Sequence, residues 1–279
     1  NDNNLILRFD GIRWSTIPLN PDNSTTVRSI SIDDNGIIYV GGINEFGYIE
    51  PDATGKRIYR SLTSRFDSAE DITGTITYDS TLALGSPIAE KSIGELKAQI
   101  IRDSRVFFLS DKGTLIIYNT LNDSLSFINL RSLGFRQFER MFLIDGKIIF
   151  ANNILGLLEF DGKRISKLKG GDFFSYKKCM TILPLGSKKL LAGTFDTGVF
   201  LIDYSTGEID SSFVSRKLQN TLKEVSVYSG AVLHTGEIVL GTIQDGAYVL
   251  NRDGDLIGHF TAENTEMMDK SISSMYCDP

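Results

Sequence analysis

Gly193-Thr-Phe-Asp-Thr-Gly198-Val-Phe and Gly241-Thr-Ile-Gln-Asp-Gly246-Ala-Tyr are two copies of one phrase. The phrase is a small residue, four variable residues, a glycine and an apolar run. Two further copies are Gly42-Ile-Asn-Glu-Phe-Gly47-Tyr-Ile and Ala151-Asn-Asn-Ile-Leu-Gly156-Leu-Leu. The last three begin at 151, 193 and 241, so they are 42 and 48 residues apart. A fixed period of this length is the signature of a repeat architecture.

Working outward, each copy follows a short apolar run: Ile37 to Val40, Ile148 to Phe150, Leu190 to Leu191 and Ile238 to Leu240. These runs are too short for helices and read as strands buried on both faces. Upstream lie polar turns such as Asp33-Asp-Asn-Gly36 and His234-Thr-Gly236, whose Asn and Gly residues tolerate positive φ. Another apolar strand precedes each turn. A strand, a turn and one more strand follow each phrase, as in Phe200-Leu-Ile-Asp203, Ser205-Thr-Gly207 and Glu208-Ile209. One repeat therefore holds four antiparallel strands in up-and-down order, the blade of a β-propeller. A β-sandwich or a pair of barrels is the alternative, but neither has a phased four-strand unit. No segment shows a long 3.6-residue apolar period, so the expectation is an all-β protein.

The whole chain, 1–279, is expected to be one propeller domain of six blades, or seven, and a fragment of a longer protein. Ile6-Leu-Arg-Phe-Asp-Gly-Ile-Arg-Trp14 matches Leu157-Leu-Glu-Phe-Asp-Gly-Lys-Arg-Ile165, which is the outer hairpin of its repeat. The chain thus begins on the last two strands of a blade. Ser271 to Tyr276 reads as an innermost strand, and the two ends are expected to share a split blade with one strand missing. Residues 64–104 are irregular and read as one blade with an insertion, with strands at Ile72 to Tyr78 and Thr81 to Leu84. Trp14, the only tryptophan, is expected to cap a hydrophobic gap.

There are 29 Lys+Arg against 35 Asp+Glu, a net charge of −6, and no basic run. That balance argues against nucleic acid or an anionic membrane as partner. Cys179 and Cys277 are the only cysteines, and Cys179 reads as a buried, inert thiol. No stretch is long and apolar enough to span a bilayer. Neither His234 nor His259 sits in a nucleophile motif, and both read as surface imidazoles. Metal-ligand spacing is absent, so no metal and no cofactor are expected. The phrase itself is not a phosphate loop, because Tyr48, Leu157, Val199 and Ala247 stand where Lys would follow the second glycine. Acidic residues are plentiful, and each taken singly reads as a solvated turn or strand end.

Loops on a rigid scaffold concentrate binding residues. The interiors of the phrase are the loops between second and third strands, which share one face with the connections between blades. They offer Asn44, Glu45 and Phe46; Asn152 and Asn153; Phe195 and Asp196; and Gln244 and Asp245. Amides, carboxylates and rings converging there would suit a small polar molecule or a glycan. Phe46 and Phe195 also fit a role in packing between blades.

Phe9-Asp-Gly-Ile-Arg-Trp14, Val27-Arg-Ser-Ile30, Ile38-Tyr-Val-Gly-Gly42, Glu45-Phe-Gly-Tyr48 and Tyr59-Arg-Ser-Leu62 occur in order. This series resembles the propeller sensor domains of two-component regulators that also carry a triple-tyrosine module. Those domains are the periplasmic halves of sensor kinases and hybrid kinases. The later repeats depart from the family's Leu-Trp-Ile/Leu-Gly strand, reading Leu-Leu-Ala-Gly193 and Ile-Val-Leu-Gly241. The resemblance implies a periplasmic ligand-sensing domain without catalytic residues. It also implies a tyrosine-rich β-sandwich, a membrane helix and a signalling or DNA-binding module further along, with homodimerisation through the full-length protein. Two other readings predict different things. A propeller lyase or glycosidase predicts clustered carboxylates or a metal, and a protein-binding or dimerising propeller predicts an exposed apolar patch.

Overall fold

A computed structural model of the chain describes residues 5–9, 11–19, 25–79, 82, 91–265, 269–275 and 277. The chain divides into two compact units, Asn1–Gln137 and Phe138–Pro279.

The first unit opens with a two-stranded hairpin, Leu5–Phe9 and Trp14–Pro18, whose register pairs Phe9 with Trp14. Blade one follows with strands Val27–Ile32, Ile38–Gly42, Phe46–Pro51 and Arg57–Ser61. Blade two is Leu96–Arg102, Arg105–Ser110, Thr114–Asn119 and Ser124–Asn129. In both, the strands pair antiparallel in chain order. The turns form as their sequences dictate. Asp33 Oδ1 accepts from the backbone N–H groups of Asn35 (3.0 Å) and Ile37 (2.9 Å), and Gly36 takes φ +76°. Asp and Gly close the turn because one accepts locally and the other bears positive φ without strain. The middle strands are buried on both faces: Val106, Phe107, Phe108 and Leu109 are all within the core.

The second unit holds three more blades. Blade three is Phe138–Ile144, Lys147–Asn152, Gly156–Phe160 and Arg164–Lys167. Blade four is Cys179–Pro184, Lys189–Thr194, Gly198–Asp203 and a short Glu208–Asp210. Blade five is Val227–Val232, Ile238–Thr242, Ala247–Leu250 and Leu256–Phe260. Cys179 is a buried free thiol, and burial pushes it up to about 12.

Among the described residues five blades stand where the repeat count, five repeats plus a split blade at the ends, predicted six or seven. The irregular stretch supplies no additional four-strand sheet among the described residues. Its expected strand at 72–78 is instead a 3₁₀ turn, Thr73–Thr75, flanked by two-residue strands Glu70–Asp71 and Thr77–Tyr78. Glu70–Asp71 runs parallel along the fourth strand of blade two, and Thr73 Oγ1 accepts from Asn129 N–H at 2.8 Å. Phe66 is buried against Phe46 and Phe127 and anchors the preceding turn. Residues 70–73 serve as an edging to blade two. The second expected strand, 81–84, falls outside the described residues apart from Leu82.

The terminal segments differ from expectation too. Trp14 is 70% exposed and its ring lies tilted against that of Phe9, itself 52% exposed, so it caps no gap. Their counterparts in blade three, Ile165 and Phe160, are fully buried. The other face of the hairpin packs Ile17 and Ile6 against Val40 and Ile49 of blade one. Residues 271–275 form no strand. Even so, Ile272 N–H donates to Thr242 O (2.8 Å), and Ser229 Oγ donates to Ile272 O (2.6 Å). Ser29 Oγ contacts Leu96 O in the same way where blade two's first strand begins.

An α-helix, Arg216–Val225, was not anticipated. Ser215 caps it, its Oγ accepting from Leu218 N–H at 3.3 Å. Leu218 and Leu222 fill the inward side. The helix stands where blade four's outer strand stops short. Gln219 Oε1 accepts from Val199 N–H (3.1 Å) and its Nε2 donates to Val199 O (3.0 Å). One amide side chain thus completes the strand edge, as a buried backbone pair requires. Gly198 makes room for it, since a Cβ there would lie 2.7 Å from Gln219 Cδ.

A candidate ligand-contact face in the second unit

Each blade carries the same irregularity at the start of its first strand. The register skips one residue: Arg28 and Lys97 in the first unit, and Glu139, Met180 and Tyr228 in the second. Such bulges re-aim a side chain and cluster beside functional sites. They sit at the same end of each blade as the loop between second and third strands.

In the second unit this end carries a run of rings and cations. Arg140, next to the Glu139 bulge, places its guanidinium 5.0 Å from the centroid of the Tyr228 ring. Phe195 meets Tyr228 edge-on at 6.5 Å. The Lys178 ammonium lies 5.7 Å from the Phe195 centroid. Tyr228, Phe195 and Arg140 are half-buried, and Lys178 and neighbouring Asp196 are exposed. The backbone fixes the arrangement, because Phe195 N–H donates to Lys178 O at 2.8 Å. Thr194 Oγ1 pins the loop by donating to Gly198 O. Cation–ring contacts of this geometry contribute roughly 0.5–1 kcal/mol at exposed sites. Ring faces and guanidinium or ammonium donors are the groups that hold a sugar or a small polar molecule.

The other predicted residues are placed differently. Asn152 is buried, its Oδ1 accepting from Ile154 N–H (3.0 Å) and Leu155 N–H (2.9 Å), so it builds its own turn. Asn153 is half-buried and its carbonyl accepts from Tyr176 N–H. Gln244 is exposed. Asp245 is bound within blade five: it accepts from the Tyr248 hydroxyl and lies 3.2 Å from His259 Nε2. His259 stacks on Tyr248 at 4.1 Å and is not a free surface imidazole. Burial, then Asp245, raises the Tyr248 hydroxyl.

In the first unit, Phe46 is fully buried between Phe66 and Phe108. It therefore belongs to packing. Glu45 is also buried, its Oε1 accepting from Tyr59 OH (2.9 Å) and Ser61 Oγ (2.5 Å). Burial, then Glu45, pushes the Tyr59 hydroxyl well up. Asn44 takes φ +53° and ties its loop to Gly94, donating its N–H to Gly94 O and accepting from Gly94 N–H. Sequence reading missed Arg140, Lys178 and Tyr228, which lie in or beside first strands. Among the described residues, no group of three or more His, Cys, Asp or Glu is disposed to hold a metal. No helix among them is long and apolar enough to cross a membrane.

No family model matches the chain. No curated protein matches it. Solved structures do. The extracellular domain of a B. thetaiotaomicron protein described as a one component system superposes with TM-score 0.67 at 16% identity, over 99% of this chain and 34% of that one. The WD40 β-propeller domain of Doa1 gives 0.64 at 14% identity, over 99% and 80%. The fold is a β-propeller. A second B. thetaiotaomicron extracellular domain, from a protein described as a hybrid two component system, gives 0.51 at 15% identity, over 94% and 43%. The propeller chain thus spans less than half the length of either B. thetaiotaomicron domain.

Proposed function

We propose that this propeller is the extracytoplasmic ligand-sensing domain of a two-component signalling or transcription-regulating protein. It binds a small molecule or a glycan without turning it over. The observation that carries this reading is the Arg140–Tyr228–Phe195–Lys178 run at the loop end of three adjacent blades. Half-exposed aromatic rings with cations over them form a preorganised contact surface for a hydroxyl-rich ligand. The series over residues 6–62 and the likeness to extracellular domains of B. thetaiotaomicron signalling proteins support the placement outside the cytoplasm. In such a protein, binding is transmitted through segments beyond these 279 residues, membrane-anchored and paired with a second copy.

A thermal-shift screen against oligosaccharides and small metabolites tests the reading. A ligand that binds only the folded state stabilises it by about 2.7 kcal/mol at a hundredfold excess over Kd. The expected result is a saturable rise in Tm with one ligand class, lost in Tyr228→Ala and weakened in Arg140→Gln. Hydrolysis or elimination of a glycan by the purified protein contradicts it. So does a screen in which no ligand gives a rise that Tyr228→Ala removes.

A further inference from the structure

We propose that blade four carries a second binding site, between its shortened outer strand and the helix Arg216–Val225, for a small organic anion with a flat, partly apolar body. The site is separate from the loop cluster and does not depend on it. A cavity of about 490 Å³ opens there, within the range of small-ligand pockets. It exists because the fourth strand, Glu208–Asp210, pairs only with Leu201–Asp203. The helix fills the rest of the edge incompletely.

The floor is apolar at Phe200 and Val214, with Ser211 and Ser212 beside them. Phe200 and Val214 are buried, and Phe173 holds the Phe200 ring edge-on at 4.9 Å. One wall is a single face of the helix. Arg216, Asn220 and Lys223 stand at i, i+4 and i+7, opposite the buried Leu218 and Leu222. All three are exposed. Among the described residues their side chains make no hydrogen bond and no ion pair. Gln219 is already engaged with Val199, and the Ser215 hydroxyl is engaged in capping, so the helix terminus is not the recognising element. No acidic residue lines the cavity. Two cations over an apolar floor, in a protein of net charge −6, select an anion. The acidic group engages Arg216 and Lys223, the flat body lies on Phe200 and Val214, and Asn220 is left for a hydroxyl.

Isothermal titration of the 279-residue chain with 4-nitrophenyl β-D-glucuronide and 4-nitrophenyl β-D-glucoside tests this. The two share a body and differ in the carboxylate. Saturable glucuronide binding is expected, with the glucoside at least about tenfold weaker, because hydrogen bonds to a charged group are worth about that factor or more. The Arg216→Gln, Lys223→Gln double variant is expected to bring the glucuronide down to the glucoside's affinity while melting as the parent does. Asn220→Trp, which fills the cavity, is expected to abolish both. Tyr228→Ala is expected to leave both unchanged. The proposal is overturned if the glucuronide does not saturate, if the two ligands bind equally, if the double variant leaves the glucuronide's affinity at the parent value, or if Tyr228→Ala removes it.

Discussion

The loop around Asn44–Phe46 and the loop around Phe195–Asp196 are written in the same phrase, yet the fold uses them oppositely. In the first, Phe46 is fully buried and Glu45 is buried under two hydroxyl donors. In the second, Phe195 is half-buried beneath Lys178 and against Tyr228, and Asp196 is exposed. The phrase encodes a turn. What packs against the turn decides whether its side chains hold the core or face a ligand. In the first unit the 3₁₀ turn Thr63–Ser68 supplies that cover through Phe66.

The largest test of this contrast is truncation of the two rings. Phe46→Ala should lose about 3–5 kcal/mol of stability, as fully buried phenylalanines do, with a cavity left behind. Phe195→Ala should lose about 1 kcal/mol or less. Urea denaturation of both variants measures the gap, and equal losses would break the comparison. Next in size is Glu45→Ala. It removes the acceptor of Tyr59 and Ser61, and a buried unsatisfied donor costs about 1–3 kcal/mol. Asp196→Ala, at an exposed position, should stay within about 0.5 kcal/mol of the parent.

The blade unit was legible because its turns and strands are local. Asp33-Asp-Asn-Gly36 specifies a turn through its own side chain, and Ile148 to Phe150 reads as a strand without reference to anything distant. The helix was legible in part: Ser215 is a capping residue, and Leu218, Leu222 and Val225 carry the helical spacing. The period is short, and the strand pattern on either side hid it. The contact face was not legible. Arg140 and Tyr228 are far apart in sequence, and only blade packing brings them to 5.0 Å. The bulge that turns Tyr228 out has no glycine or proline to announce it. The blade count failed at the ends: the hairpin Leu5–Phe9 and Trp14–Pro18 stays a two-stranded sheet and residues 271–275 form no strand, so the expected split blade is not made among the described residues.

The smallest expected effect is in acid, where the two units should behave alike. Hydrogen bonds from Arg65 and then Tyr118 hold Asp123 below the usual carboxylate range, and Tyr204 and then Lys188 do the same for Asp145. A depressed folded value contributes stability that is present above the ordinary carboxylate pKa of about 3.9 and lost as pH falls through the folded value. Both groups are exposed, so the loss is small. Asp123→Asn and Asp145→Asn should each shallow the fall of Tm below about pH 4. A steeper fall in either variant would refute the assignment.

A hydrogen-exchange footprint, recorded by mass spectrometry with and without a saturating ligand from the thermal-shift screen, sets one loop against the other. The account predicts added protection in peptides covering 193–198 and 226–230, and none in the peptide covering 42–47. Protection confined to 42–47, or none in either second-unit peptide, would contradict it.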